Sequence, residues 1–358
     1  FNISVDLKSV LVGDQPRISG IILNEPNIHV QVLEDGTANY DIAIASEDTI
    51  TEESAPAKEV SFTVDHWEIN QANVLYEDLT LPMFMAIQNM NHEGSGDFTL
   101  DVFDLETFTD IENLTVNYDG VEYLTGKKFT ADVTMNMNLN DFRFTFKENE
   151  VALNDFSMGF DGFLAMPDEN IEMDITFAAK DNTFKSLLSL VPGVYLEGFE
   201  QVKTEGDLDF DGFVRGTYNE ESMPAFRVKL LTQDAMFQYP DLPTAVTDID
   251  VDLLVDNADG NLDNTIVNLK SFHADLGSNP INARLILKGL DSYTIDTEVD
   301  AKLNLAELNQ MFPMDSLDMR GTYNINLSAN GTYDSATNRI PKIDMAMSMQ
   351  DGYVKQAD

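Results

Sequence analysis

Three stretches of the sequence carry residue types that could hold a cation or act as a catalyst. Asp207-x-Asp209-x-Asp211-Gly212 has the alternate carboxylates and the glycine of the first half of a calcium loop, in which hard oxygen ligands wrap one ion. The bidentate acid needed at the twelfth position falls on Tyr218, and the acids alternate with apolar residues as the wet face of a strand does. Asp256-Asn257-Ala258-Asp259-Gly260 is also acidic, but Asp-Gly is a strong hairpin signal and a turn is expected there. Gly94-Ser95-Gly96 follows His92 and Glu93, yet it lacks the Gly-x-Ser-x-Gly spacing of a nucleophile elbow. The histidines, His29, His66, His92 and His273, form no i, i+4 pair and no His-Glu-x-x-His, so a metal site would have to be assembled in space. The absence of cysteine excludes disulfides, thiolate ligands and thiol nucleophiles. No Gly-rich phosphate loop is present, and nothing singles out a pair of carboxylates for acid–base work. A non-catalytic protein, with no metal site and no cofactor, is expected.

The elements that would have to position any site are strands. Val133, Met135, Met137 and Leu139 alternate with Thr134, Asn136, Asn138 and Asn140; Ile249, Val251, Leu253 and Val255 alternate with acids; Met345, Met347 and Met349 alternate with Asp344, Ala346 and Ser348. Successive strand side chains point to opposite faces, so each segment has one apolar and one wet face. At Asn140-Asp141 the apolar phase flips to Phe142, Phe144 and Phe146, as a turn between neighbouring strands requires.

Composition narrows the function classes. With 43% hydrophobic residues, 22 Phe and 16 Met, the chain can build a large core and is not disordered overall. A formal net charge of -42 repels nucleic acid phosphates and anionic membranes and sets nucleic-acid binding aside. The acidic surface reads as a solubilising coat on a β-protein. No run of about 18 apolar residues occurs, so no membrane span or leader is expected within the sequence. Phe1 already stands in a strand-like run, Phe1 to Leu7, which reads as part of something longer.

Strands are expected at Arg17 to Leu23, Asn27 to Leu33, Ser61 to Trp67, Ala72 to Tyr76 and Phe84 to Met90, with a tight turn at Asp35-Gly36 and a solvated acidic loop at 46–59. From Gly94 on, strands of about 6 to 10 residues are expected between turns at Tyr118-Asp119-Gly120, Asn140-Asp141, Lys147-Glu148-Asn149 and Asp161-Gly162. Two segments have helical spacing, Asn182 to Val191 and Asn304 to Phe312, each stopped by a proline. After each comes a matching series: Gly206, Gly216-Thr217-Tyr218, Pro224 and Asp234, then Gly321, Gly331-Thr332-Tyr333, Pro341 and Asp351. The glycines recur at an offset of 115 (321 - 206 and 331 - 216), the later residues at 117 (341 - 224 and 351 - 234). A repeated unit that cannot bury its own apolar face points to stacking in a quasi-linear array. Three regions are expected: 1–93 with the acidic loop; 94–203, ending in a short helix; and 204–358, in which the related segments 206–303 and 321–358, the second incomplete, are joined by a short helix.

Many sequential strands with one apolar face and few helices to cover it leave a sandwich, a barrel, or a long sheet bent into a trough. The run from Pro16 to Val30, followed by Asp35-Gly36-Thr37-Ala38-Asn39-Tyr40-Asp41, resembles the opening of AsmA-like proteins. Val116 to Gly120, Leu153 to Phe156 with Asp161-Gly162, and Tyr239 to Pro243 are similar to later parts of that family. The resemblance implies a mostly β protein in which a long, strongly twisted antiparallel sheet curls into an elongated U-shaped groove with a few short capping helices. It further implies a periplasmic protein of the cell envelope, tethered to the inner membrane through a segment absent from this chain. Such a protein holds lipid acyl chains, phospholipid foremost, in lipid transport or outer-membrane homeostasis, with envelope proteins as possible partners. Inward-facing candidates are Val133, Met135, Met137, Leu139, Phe142, Phe144, Phe146, Ile249, Val251, Leu253, Val255, Met345, Met347 and Met349. The alternative is a structural or adhesive β-scaffold whose core its own side chains fill.

Overall fold

A computed structural model describes residues 2–5, 18–41, 65–168, 170–181, 183–190, 201–219, 222–240, 244–290, 292–311, 317–334 and 336–356. The expected acidic loop at 46–59, the residues 61–64 and part of the Tyr239 to Pro243 stretch lie outside the described residues. The fold class is as expected: mostly β, with a long succession of antiparallel strands and few, short helices. The chain divides into two compact units, Phe1–Asn154 and Asp155–Asp358. The expected boundary at 93/94 instead falls inside a strand, Met83–Gly96.

The first unit holds β1 (Asn2–Val5), β2 (Ile18–Asn24), β3 (Asn27–Val32), β4 (His66–Asp78), β5 (Met83–Gly96), β6 (Val102–Tyr118), β7 (Val121–Asn138) and β8 (Arg143–Leu153). β1 is antiparallel to β2, and β2 and β3 lie one after the other in parallel along β4. From β4 to β8 each strand is antiparallel to the next. Hairpin turns close these pairs: Asp119 and Gly120 both have positive φ, 49 and 75, the backbone that matches right-handed strand twist.

The second unit holds β9 (Phe156–Ala165), β10 (Ile171–Ala179), α1 (Phe184–Leu188), β11 (Lys203–Tyr218), β12 (Ala225–Gln238), β13 (Val246–Asn257), β14 (Ile266–Leu276), β15 (Asn279–Lys288), β16 (Tyr293–Asn304), α2 (Leu305–Met311), β17 (Leu317–Tyr333) and β18 (Lys342–Gln356). Every strand from β9 to β18 is antiparallel to the next in sequence. Asp256 to Gly260 leads out of β13 into the expected turn, where Asn257 accepts a hydrogen bond from Gly260 N–H at 2.7 Å.

Strands are longer than the turn residues suggested; β6 and β7 have 17 and 18 residues. Lys147-Glu148-Asn149 and Asp161-Gly162 are not turns but lie inside β8 and β9. Glu148 has φ 56, and β8 carries an extra residue against β7 between Asp132 and Met135. This is a β-bulge, which absorbs a turn-like residue without ending the strand. Bulges leave an N–H off the ladder, and side-chain oxygens take it up: Thr134 N–H donates to Asn149 Oδ1 (2.6 Å), Gln71 N–H to Asn91 Oδ1 (3.0 Å), Asn89 N–H to Asn73 Oδ1 (3.3 Å) and Asp234 N–H to Asp250 Oδ1 (2.8 Å).

Both helices are shorter than the segments that predicted them. Thr183 caps α1, its hydroxyl accepting from Ser186 N–H at 3.4 Å, and Asn304 Oδ1 caps α2 by accepting from Ala306 N–H at 3.1 Å. Such short helices depend on packing against the sheet. α1 supplies it with Phe184, buried together with Ala235, Val246, Ile249 and Ala274.

The repeat is present in three dimensions. β10, α1, β11 and β12 match β16, α2, β17 and β18, and the register agrees residue for residue: Phe210 opposite Leu230 and Ile325 opposite Met347, Arg215 opposite Ala225 and Asn330 opposite Lys342. Gly206 and Gly321 have φ 109 and 108, while Asp234 and Asp351 across from them have φ 49 and 53. A Cβ on Gly206 would stand 2.6 Å from Ala235 Cα, so the bulge needs glycine for both backbone and space. These glycines sit within strands rather than starting them, and Gly-Thr-Tyr ends a strand rather than forming the turn.

Candidate functional site

Asp207, Asp209 and Asp211 stand on one strand, β11, opposite Gln233, Leu231 and Lys229 of β12. Strand geometry spreads them about 6.6 Å apart along one face instead of wrapping them around an ion. Among the described residues no group of three or more acids or histidines could hold a metal ion. His66 and Ser95 are cross-strand partners, and His66 Nε2 lies 2.9 Å from Glu68 Oε1. No side-chain hydrogen bond joins Ser95 to His66 among the described residues, and the recess over them, about 320 Å³, is open and lined by Glu93, Glu106 and Asp132.

Gly94 serves packing. Its cross-strand partner is Trp67, and a Cβ there would stand 2.1 Å from the indole ring. The indole continues into a chain of rings, Trp67 to His92 at 6.1 Å, Trp67 to Phe98 at 6.0 Å and Phe98 to Phe103 at 4.8 Å. His92 Nδ1 meets Thr109 Oγ1 at 2.9 Å, and burial pushes the imidazole pKa down. Lys127, only 5% exposed in β7 opposite Leu114, is a cation that sequence reading passed over; burial lowers its pKa too.

What the strands assemble is an apolar face. In the second unit the register lines up Phe160, Phe177, Gly212, Val228, Val255, Val267, Leu287, Ile295 and Gly331, one from each strand from β9 to β17. At about 4.8 Å per strand this row runs roughly 38 Å. The next row is Phe210, Leu230, Leu253, Leu269, Leu285, Thr297, Ala329 and Ile343. A third carries Leu208, Thr232, Val251, Phe272, Ala283, Val299, Leu327 and Met345. The opposite face carries the charges, with Arg227 to Asp256 at 2.7 Å, Lys270 to Asp252 at 2.8 Å and Arg284 to Asp296 at 3.2 Å. Most of the residues in these apolar rows are only half-buried. Sheet faces that complete a globular core are instead covered by a second layer.

In the first unit, Met135 and Met137 lie between Leu105 and Phe103 on one side and Phe146 and Phe144 on the other. Val133 stands opposite Thr107 on the same face. Leu139 and Phe142 do not join these rows. Both fall in the turn between β7 and β8, and Phe142 has φ 44 and is 54% exposed. Their period-two phase ran on into a tight turn, where alternation no longer sets direction.

In the second unit, Val251, Leu253 and Val255 stand in the three rows, while Ile249 is covered, packed under α1 with Phe184. Met345, Met347 and Met349 extend the face along β18 opposite Leu327, Ile325 and Tyr323. Residues that sequence reading missed include Val228, Val267, Leu287 and Ile295, which lie on strands whose alternation is shorter or interrupted. The arrangement offers non-directional apolar contact on one side and water on the other.

Comparison with protein-family models, with curated proteins and with solved structures finds no match.

Proposed function

We propose that the chain binds lipid acyl chains along its apolar sheet face and takes part in lipid transport between membranes of a cell envelope. The observation that carries this reading is the set of largely apolar, mostly half-exposed rows, eight or nine strands long, in the second unit. An acyl chain laid there loses water contact at about 0.8 kcal/mol per buried methylene. The gain is shared among many equivalent rows, so no position holds the chain fast and sliding costs little. A bilayer offers the same apolar environment, which keeps loading and unloading near balance. The wet face and the -42 net charge keep the exposed sheet soluble. Phospholipid as cargo, a periplasmic setting, a tether to the inner membrane and envelope protein partners follow from the resemblance to AsmA-like proteins, and the function requires no catalysis, metal or cofactor.

A structural scaffold is the second reading, favoured by the cluster that α1 closes over Phe184, Ala235 and Ile249. Purification without detergent, solvent extraction and mass spectrometry separate the two. Co-purified lipid, or uptake of labelled phospholipid by stripped protein, is expected; stripped protein that takes up none supports the scaffold.

A further inference from the structure

The apolar face of the second unit ends differently at its two rims. Its strands alternate in direction, so β10, β12, β14 and β16 finish at one rim of the sheet and β9, β11, β13 and β15 at the other. The first rim is closed by helices. α1 buries Phe184 with Ala235, Val246, Ile249 and Ala274, and Val251, Phe272 and Leu276 pack around that cluster. α2 is tied to the turn between β14 and β15, where Glu307 Oε1 accepts from Ser278 N–H at 2.9 Å. The second rim is open. There the apolar side of the strands runs out to Tyr218 of β11, Tyr293 of β16 and Tyr333 of β17, which share a face with Gly212, Ile295 and Gly331 of the first row. Tyr293 and Tyr333 stack with ring centroids 5.0 Å apart. Among the described residues from β9 to β16, the exposed large apolar side chains are Met166, Tyr218, Met223, Leu262 and Leu290, all at this rim. Its four turns over the same strands, 166–170, 219–224, 258–265 and 289–292, contain seven acids and no lysine or arginine, so they favour a cationic group over an anionic one.

The open strip has the length of an acyl chain. On β13 it runs from Val251, at the edge of the α1 cluster, to Asn257 at the open rim, about 20 Å at 3.3 Å per residue. The hydrocarbon of one bilayer leaflet is about 15 Å deep, half of a core of about 30 Å. Resting on the reading that this face holds lipid, we propose that a phospholipid with an amine in its headgroup lies with its acyl chains along the strands, methyl ends toward α1 and headgroup at the rim of Tyr218, Tyr293 and Tyr333. The covered apolar cluster receives the chain ends. The phenols, apolar on the ring and polar at the hydroxyl, stand at the level of the lipid esters, as aromatic residues do at a bilayer interface. The acids of the turns attract the ammonium and disfavour a headgroup of net negative charge. Movement along the rows then carries lipid sideways, from strand to strand, with its headgroup kept at the open rim.

The test uses the full chain, stripped and reloaded with either of two phosphatidylcholines, one carrying a diazirine at the methyl end of an acyl chain and the other beside the ester. On irradiation the methyl-end probe should label Val251, Phe272 and Leu276, and the ester-side probe Tyr218, Tyr293 and Tyr333, each set several-fold over the other. Both probes labelling the two sets alike, or the sets exchanged, would overturn the proposal and leave lipid binding standing; no adduct on the apolar face from either probe would remove both. For the headgroup, phosphatidylcholine should displace bound lipid several-fold more effectively than phosphatidylglycerol with the same chains. Asp168→Asn with Asp263→Asn, in the turns of the open rim, should narrow that ratio, whereas Asp207→Asn with Asp209→Asn, on the wet face of β11, should not. A ratio narrowed equally by both pairs reports overall charge alone and would overturn the placement of the headgroup.

Discussion

Gly94 and Trp67 make the most exacting contact at the scale of single residues, since no atom can be added between the glycine and the indole. Gly94→Val is expected to destabilise the protein by about 1–3 kcal/mol through overpacking. Because Trp67 is the single tryptophan, its emission reports the change: a shift to the red should accompany the loss in urea denaturation. His92, in the same ring cluster, sets a pH dependence. Its folded pKa lies below the usual 6.5 because burial disfavours the imidazolium. Between those two values the unfolded chain binds more protons than the folded one, so His92 reduces stability as pH falls below about 6.5 and has no effect above. His92→Gln should flatten that part of the stability curve relative to the parent, measured by urea titration from pH 7.5 to 5. On the apolar face, Leu253→Glu would set a carboxylate where acyl chains are proposed to lie, at a high desolvation cost. Bound lipid should fall several-fold, whereas Phe142→Glu, in the exposed turn, should leave it unchanged.

Bulges explain, at the scale of elements, what the sequence made legible and what it hid. Alternation located the strands, because a half-buried sheet demands period two. The same signal failed at Glu148, where a turn-forming residue sits at a bulge inside β8, since a bulge and a turn draw on the same positive-φ residues; Gly162 has φ 128 within β9 without a break in its register with β10. Asparagine within a strand would have been the better marker. Asn73, Asn91 and Asn149 are poor strand formers, and each accepts an N–H that a bulge has freed. Asn149 is 1% exposed, so Asn149→Ala should cost roughly 1–3 kcal/mol by leaving Thr134 N–H without its partner. Thermal unfolding would show the loss. The spacing of Gly206, Gly216, Gly321 and Gly331 foretold the repeat because backbone conformation, unlike side-chain packing, is written in single residues. Which candidates lie in the rows was only partly legible. Ile249 has the same alternation as Leu253, and only the position of α1 decides that it is covered.

Charge and apolar surface act together on the scale of the whole molecule. The apolar face is the proposed lipid site, while 63 acidic residues against 21 basic ones repel anionic bilayers over a Debye length of about 8 Å at physiological salt. Vesicles of zwitterionic phospholipid should therefore donate labelled lipid faster than vesicles rich in anionic lipid, and the difference should shrink as salt is raised. The most direct measurement of the central claim is photo-cross-linking with a phospholipid that carries a diazirine in its acyl chain, followed by peptide mapping. The account predicts adducts on the apolar rows, at Val228, Leu253, Val255, Leu287 and Ile295, and none on the wet face at Arg227, Asp252 or Arg284. Adducts spread evenly over both faces, or no adducts from stripped and reloaded protein, would contradict it.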